Sequence, residues 1–330
     1  MPEPGPTIGD VATAAGVSRA TVSRAFGRPG MLRQETVEHV LTVAGRLGYT
    51  PNRVAQALST GRFANLAVVV PDIANPFFPP LIRAAQGRAD RAGFAVFLGD
   101  ADEDPEREDV LLRQLGTQVE GFVLASSRMT DDRIRAHAGR RPLVLVNRDV
   151  PGIPRVLIDT TRGVTEAVDH LAGLGHRAIA YLSGPAGSWS NSQRKRAVRR
   201  AAQRRGLTVQ TLAARRPTFD AGRQSVPALL ASGATAVVAF DDLMAQGVLA
   251  GLAERGVAVP AGLSVVGCDD VLAAQAYPPL TTVSARSAEA GTAAVELLTG
   301  RLASGATMAD TRLLLDTTLV IRATTGPPGH

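Results

Sequence analysis

The chain has 330 residues, 45% of them hydrophobic and 4% aromatic, and a formal net charge of +6 carried almost wholly by arginine, since Lys195 is the sole lysine. Such a length suits two or three domains rather than one small core, and a single cysteine, Cys268, excludes an intrachain disulfide framework and suits a reducing compartment. No apolar run approaches the ~18 residues of a membrane span, and Met1 to Pro6 lacks the apolar stretch of a signal peptide, so a cytoplasmic location is expected.

The Ala-, Gly- and Arg-rich composition fits a GC-rich genome, which is the first explanation of the arginine excess. Its distribution is uneven all the same. The first 63 residues hold seven arginines against four carboxylates, so half the net charge falls in less than a fifth of the chain.

In that basic stretch, Ile8 to Ala15 predicts a short amphipathic helix. Thr7 stands where its hydroxyl caps the free amides, and Asp10, three residues on, completes a capping-box pattern. Gly16 ends the helix, and Ser18 caps a second one from Arg19 to Phe26, after the turn length of a helix-turn-helix. Val17 and Val22 face inward, which leaves Arg19, Ala20, Ser23 and Arg24 outward, with Ser18 and Thr21 near the start. In a helix-turn-helix this element enters the major groove. There an arginine fork matches guanine O6 and N7, while hydroxyls more often hold phosphates. The same spacing also suits a solvated helical hairpin packed on a neighbouring domain.

Gln34 to Leu47 predicts a third helix with Val37, Val40, Leu41, Ala44 and Leu47 at helical spacing, closed by Gly48. Tyr49-Thr50-Pro51 breaks it. Asn52 to Ser59 is helical in composition but only about two turns long, too short to be stable alone in water.

These residues carry a resemblance. Thr7-Ile8-Gly9-Asp10-Val11-Ala12, Ala15-Gly16-Val17-Ser18, Ala20-Thr21-Val22-Ser23-Arg24 and Leu47-Gly48-Tyr49-Thr50-Pro51-Asn52 are similar to the LacI/GalR family of bacterial transcription regulators, and the likeness extends over nearly the whole chain. It implies DNA contacts from Thr7, Ser18, Arg19, Ala20, Thr21, Ser23 and Arg24. It further implies that Asn52 to Leu58 is a hinge helix that pairs in a dimer, with Asn52, Ala55 and Leu58 at the DNA and Leu58 wedged into the minor groove.

From Leu66 the pattern alternates. Leu66 to Val70, Ala95 to Leu98, Gly121 to Ala125, Pro142 to Val146 and Arg155 to Ile158 predict strands, with helices at Pro80 to Arg91, Pro105 to Leu115 and Asp131 to Ala138. The alternation repeats. Ala178 to Leu182, Thr208 to Leu212, Ala236 to Phe240 and Leu263 to Cys268 predict strands among helices at Thr161 to Leu174, Ser192 to Arg205, Ala221 to Ala231 and Leu243 to Arg255. Such alternation means parallel sheets covered by helices. Ser287 to Leu302 is again helical and Leu313 to Ile321 strand-like, so the chain returns to its first half. The expected fold class is therefore an N-terminal all-α helix-turn-helix head plus an α/β domain of two doubly wound parallel-sheet subdomains, which resembles the periplasmic-binding-protein type I architecture. Expected boundaries are 1–50 for the head, 51–63 for hinge helix and linker, and 64–330 for effector binding and dimerisation. The last divides into 64–160 plus 287–324 and 161–286.

Ligands of parallel sheets bind beyond the carboxyl ends of the strands. Asn75, Phe77 and Phe78 follow the first strand, Asn147 and Arg148 the fourth, and Ser190, Arg194, Asp241 and Asp269 follow strands of the second half. Aromatic faces beside paired polar groups suit a small polyhydroxylated ligand. Each has a plainer reading: Phe77 and Phe78 as core, Arg194 as part of a solvated helix face, and Asp242, beside Asp241, as a helix cap. The resemblance implies effector contacts at Phe77, Asn147, Arg148, Ser190, Arg194, Asp241 and Asp269. The chain departs from the family pattern where Asp241 replaces a common Asn, Ala285 a common Gln and Ala197-Val198 a Gly-Phe, while an expected aromatic aligns poorly with Phe219, Pro217 being the other position for it.

The expected function is an effector-controlled transcription regulator, a repressor and homodimer, binding near-palindromic operator DNA and a sugar-like ligand. A cytoplasmic sugar-binding protein is the alternative. An enzyme is not expected: Ser183-Gly184-Pro185-Ala186-Gly187-Ser188 lacks the ending of a phosphate loop, no histidine sits in a catalytic or metal-binding pattern, and no cofactor or metal is called for.

Overall fold

Helix α1 (Ile8–Ala14) begins where its first amides find acceptors. Thr7 Oγ1 accepts from Asp10 N, and the Asp10 carboxylate accepts from Thr7 N at 2.7 Å, closing the reciprocal cap. These bonds hold the Asp10 carboxyl below its usual range. A short turn leads to α2 (Arg19–Gly27), whose Thr21 amide donates to Ser18 Oγ at 3.1 Å. Helix α3 (Gln34–Leu47) ends at Gly48, whose φ of 67° is the left-handed turn that glycine adopts without strain.

The computed structural model describes residues 5–27, 29–49, 63–214, 216–304 and 310–329. The segment expected to form the hinge helix, with Asn52, Ala55 and Leu58, lies outside the described residues. The chain divides into two compact units, Met1–Phe63 and Ala64–His330. In the first, Val11, Ala12, Val22, Ala25, Val40, Val43 and Ala44 form the core, with Phe26 and Tyr49 packed edge to face at 5.8 Å. Two residues expected inside are not: Leu41 and Leu47 are 42% and 40% exposed, and Val43 takes the inward place. The packed ridge is Val40, Val43 and Ala44; Leu41 falls about 100° round the helix from Val40, and Leu47 lies on its last residue.

The second unit contains β1 (Asn65–Val70), α4 (Phe78–Arg91), β2 (Ala95–Asp100), α5 (Pro105–Leu115), β3 (Gly121–Ala125), α6 (Asp131–Ala138), β4 (Leu143–Val146) and β5 (Arg155–Asp159). Next come α7 (Thr161–Gly173), β6 (Ala178–Ser183), α8 (Trp189–Arg205), β7 (Thr208–Ala213), α9 (Phe219–Ala231), β8 (Ala236–Ala239), α10 (Asp242–Ala253) and β9 (Ser264–Asp269). The unit ends with β10 (Thr281–Ser284), α11 (Ser287–Ser304), β11 (Arg312–Asp316) and β12 (Leu319–Val320). Two six-stranded sheets result, ordered β11-β5-β4-β3-β1-β2 and β12-β10-β9-β8-β6-β7. Every pairing is parallel except β10 with β12. The central strands read as unbroken branched runs because helices cover both faces, as in β1, β3 and β4, where nearly every residue is buried.

The halves are joined by three crossings: β5 into α7, β10 into α11, and β11 into β12. The expected division, which kept 287–324 in the first half, is corrected by this topology. Strand β12 pairs with β10, and Thr324 O accepts from Val265 N at 2.8 Å, so the chain from β12 onward belongs to the second sheet. The crossings are bonded to one another. Thr317 Oγ1 donates to Asp159 O at 3.0 Å, Ser284 N to Thr318 O at 2.9 Å, and Thr318 N to Ser284 Oγ at 3.2 Å. A Cβ on Gly163 would stand 2.4 Å from Val283 Cγ1 and 2.9 Å from Thr317 Oγ1, so only glycine lets the segments approach this closely. Among the described residues no helix is long and apolar enough to cross a membrane.

Candidate functional site

In the first unit the outward face of α2 is open. Ser18, Arg19, Ala20, Ser23 and Arg24 are exposed and Thr21 is half-buried, while Val22 and Ala25 hold the helix to the core. Ser18 and Thr21 bond to each other through their hydroxyls at 2.9 Å. The Arg19 guanidinium lies over Gly9, its Nη2 3.1 Å from where a Cβ would be, and so rests on α1. Arg24 makes no ion pair among the described residues, so its fork is available to a ligand. Thr7 is exposed at the head of α1, its hydroxyl engaged by Asp10.

In the second unit the cleft between the sheets is built from loops at the carboxyl ends of eight strands. Asn75, Phe77 and Phe78 follow β1, Glu103 follows β2, Ser126 and Arg128 follow β3, and Asn147 follows β4. Facing them are Ser188, Ser190 and Arg194 after β6, Pro217 after β7, Phe240 and Asp241 after β8, and Asp269 at the end of β9. Glu103, Ser126, Asn147 and Asp269 all have positive φ, at 61°, 49°, 52° and 133°. Four strained, non-glycine strand ends converging on one cleft are what a binding site tends to accumulate.

The side chains fill the space between the halves and leave a cavity of about 30 Å³. Asn75 bridges it: its Oδ1 accepts from Phe77 N and its Nδ2 donates to Asp241 Oδ2, both at 3.0 Å. Phe77 and Phe78 meet edge to face at 5.0 Å. Asn147 Oδ1 accepts from Ile158 N at 3.0 Å, which fixes the amide at the rim of β5. Arg194 lies over the Phe240 ring at 4.8 Å, donates to Asp269 Oδ1 at 3.0 Å and to Phe240 O, and has its Nε unpartnered. Gly184 makes room for that ring, since a Cβ there would stand 2.4 Å from Phe240 Cγ. The loop Ser183 to Ser188, which has a faint look of a phosphate loop, is knotted by Asn191 instead. Asn191 Oδ1 accepts from Gly184 N and its Nδ2 donates to Pro185 O, both at 3.1 Å.

Three carboxylates are buried near one guanidinium. Asp241, Asp242 and Asp269 are 2%, 4% and 5% exposed and Arg194 is 4%. Burial pushes the Asp241 and Asp242 carboxyls up to about 6 and raises Asp269 well above the usual range, with Arg194 opposing each shift. The same burial holds the Cys268 thiol up, so this cysteine stays protonated and inert. Among the described residues no group of histidine, cysteine and carboxylate side chains could hold a metal ion.

The cleft gathers Asn75, Phe77, Phe78, Asn147, Ser190, Arg194, Asp241 and Asp269 from the sequence-derived set but not Arg148. Arg148 Nη2 donates to Met129 O at 2.9 Å and to Asp131 Oδ1 at 2.7 Å, because the positive φ of Asn147 redirects the chain before it. Beside Arg194, the arginine that lines the cleft is Arg128, paired with Glu103 at 2.9 Å; the strand-end rule applied to β3 would have found it. The cap assignment also reverses. Asp241 caps α10, accepting from Met244 N at 2.8 Å, while Asp242 turns toward β10 and accepts from Thr282 Oγ1 at 2.5 Å and Val271 N at 3.2 Å. Pro217 lines the cleft, and Phe219 is 39% exposed outside it.

Comparison with known proteins fits both units. Residues 7–52 match the family described as bacterial regulatory proteins, lacI family, and residues 168–325 match the periplasmic binding protein-like domain. The HTH-type transcriptional regulator DegA of Bacillus subtilis is 34% identical over 332 residues, spanning 97% of this chain and 98% of DegA. Among solved structures, the lac repressor dimer bound to operator and the anti-inducer ONPF superposes with a TM-score of 0.86 at 28% identity, over 98% of this chain and 100% of that one. The transcriptional regulator CelR in complex with cellobiose gives a TM-score of 0.73 at 29% identity, over 97% and 99% of the two chains. With an open recognition helix, a strand-end cleft and this full-length likeness, the chain belongs to the lacI family of bacterial regulatory proteins and is a DNA-binding transcription regulator, not an enzyme.

Proposed function

We propose that this regulator is a cytoplasmic, homodimeric repressor whose affinity for a near-palindromic operator is set by a small polyhydroxylated effector in the cleft of its second unit. The observation that carries the reading is the convergence of eight strand-end loops on Asn75, Arg194, Asp241 and Asp269, with a hydrogen bond from Asn75 to Asp241 spanning the two halves. An effector that inserts hydroxyls between Asn75 and Asp241 replaces this bridge and resets the angle between the halves. The bonded crossings then turn that change into a rotation of one sheet relative to the other. A coupling of about 1–3 kcal/mol per site is enough to shift operator occupancy, and it is reciprocal between effector and DNA.

At the DNA, Arg24, Arg19, Ser23 and Ala20 of α2 meet base edges while Thr7, Ser18 and Thr21 hold phosphates. In the same reading, residues 1–50 form the head and 51–63 the hinge. Asn52, Ala55 and Leu58 then bear on the minor groove, with Leu58 as the wedge. The lac repressor dimer bound to operator supports the DNA reading by likeness, and CelR with cellobiose the sugar-like effector.

The test is a fluorescence-anisotropy titration of a palindromic candidate from the region upstream of the gene, with and without a panel of sugars. Specific binding that one sugar shifts tenfold or more is the expected result. Absence of specific binding at moderate salt would leave a ligand-binding protein in place of a regulator.

A further inference from the structure

Resting on the effector reading of the cleft, we propose that the ligand is an aminated polyol whose ammonium group sits against Asp241, rather than a neutral sugar or a phosphate ester. The argument is one of charge placement. Among the described residues, both cations that line the cleft already have their own carboxylates. Arg128 is paired with Glu103 at 2.9 Å and also donates to Ser126 O at 2.7 Å, and Arg194 is paired with Asp269 at 3.0 Å.

Asp241 makes no direct ion pair among the described residues. Its Oδ1 accepts from the Met244 amide at 2.8 Å and its Oδ2 from the Asn75 amide at 3.0 Å, both neutral donors, and the residue is 2% exposed. Asp242 behind it is likewise held only by Thr282 and Val271. Arg194, whose direct pair is Asp269, also acts on Asp241 and Asp242, so three buried carboxylates share one guanidinium. Such an excess of buried negative charge is costly, and it either takes up a proton or recruits a positive group. The Asp241 carboxyl, raised to about 6 by burial, shows the first of these responses in part.

An ammonium group supplies the second. It presents three donors and a charge where Asn75 presents one neutral N–H. A hydroxyl adds a neutral hydrogen bond and leaves the charge uncompensated. A phosphate ester brings negative charge to arginines that are already engaged. A second observation points to the other end of the ligand: Arg194 lines the same cavity, and its Nε is buried and lacks an acceptor. A hydroxyl or ring oxygen satisfies it. A donor cation and an oxygen acceptor on one small molecule, flanked by Phe77 and Phe78, describe an amino sugar or a close relative.

Calorimetric titration of the full-length protein with matched pairs tests the proposal: glucosamine and glucose, galactosamine and galactose, mannosamine and mannose, with glucose 6-phosphate alongside. In at least one pair the amine is expected to bind about tenfold tighter or more, the margin of a charge-assisted over a neutral hydrogen bond. Asp241→Asn, which keeps a capping oxygen for α10, is expected to bring that pair within about twofold. A neutral sugar that equals its amine, a bound phosphate ester, or an amine preference that survives Asp241→Asn overturns the amine and leaves the cleft an effector site. Silence of the whole panel overturns the amine and the effector reading together.

Discussion

Removing the guanidinium from the cleft while keeping its stem is the sharpest test of how the second half is held together. Arg194→Met deletes the pair with Asp269 at 3.0 Å, the bond to Phe240 O and the contact 4.8 Å above the Phe240 ring. Leaving a buried carboxylate unpaired costs about 3–5 kcal/mol, and the lost cation–π contact adds about 1 kcal/mol. Asp269 limits the loss by taking up a proton. Burial already holds its carboxyl well above the usual range, and removing Arg194 raises it further.

The sign follows from that direction. A carboxyl raised in the folded state contributes stability below its unfolded value and loses it as the pH rises through the folded one. Because the variant's carboxyl is raised further than the wild type's, the deficit of Arg194→Met should be smaller at pH 5.5 than at pH 8, changing by at most about 1.4 kcal/mol per unit for one group. Urea unfolding read by the fluorescence of Trp189, the sole tryptophan, half-buried at the start of α8, follows this half of the molecule. Adding Asp269→Asn to the variant should recover most of the loss at pH 8. A deficit below about 1 kcal/mol at pH 8, or one equal at both pH values, would refute the account of a carboxylate cluster held by one cation.

Arg24→Ala should weaken operator binding by about 1–3 kcal/mol and relax base preference at one position; an equal loss on random DNA in a competition assay would make Arg24 a phosphate contact. Gly247→Ala places a Cβ 1.9 Å from Phe219 O, so α9 and α10 must separate. A loss of about 1–3 kcal/mol or more is expected from that overpacking, and an unchanged melting temperature would speak against it. In the ligand-free wild type, the raised carboxyls of Asp241 and Asp242, facing Asp269 and Arg194, should make the second half more stable near pH 5 than near pH 7.5. Asp241→Asn should flatten that slope in the same Trp189 measurement, and a slope left unchanged would place the titration elsewhere.

Local chemistry was legible in the sequence. Thr7 with Asp10 announced the start of α1, Gly48 the end of α3, and the branched runs of β1, β3 and β4 a sheet buried on both faces. Helical spacing could not say which ridge of α3 would be covered, because that depends on where α1 and α2 cross it; Leu41 and Leu47 were misplaced for this reason. Strand β10, Thr281-Thr282-Val283-Ser284, carries too little apolar signal to read as a strand, and the sheet that β12 joins is decided by chain crossings rather than by its own residues. At the site, the rule of strand ends located the cleft and most of its walls. It exchanged Arg128 for Arg148 because a single positive φ at Asn147 turns the next side chain away, and no composition records that.

The last crossings also set an order of assembly. The first sheet is completed by β11, whose Arg312 lies beside Arg155 of β5, so an edge of the first half arrives after all of the second half but β12 and the tail has been made. Closing a loop of that size is slow compared with forming local helices. On a ribosome the head, complete within the first 63 residues, is free to fold early. The first half must wait with an unpaired β5 edge until nearly the whole chain has emerged. A truncation anywhere before β11 should therefore leave a folded head attached to an aggregation-prone remainder, rather than a smaller working regulator.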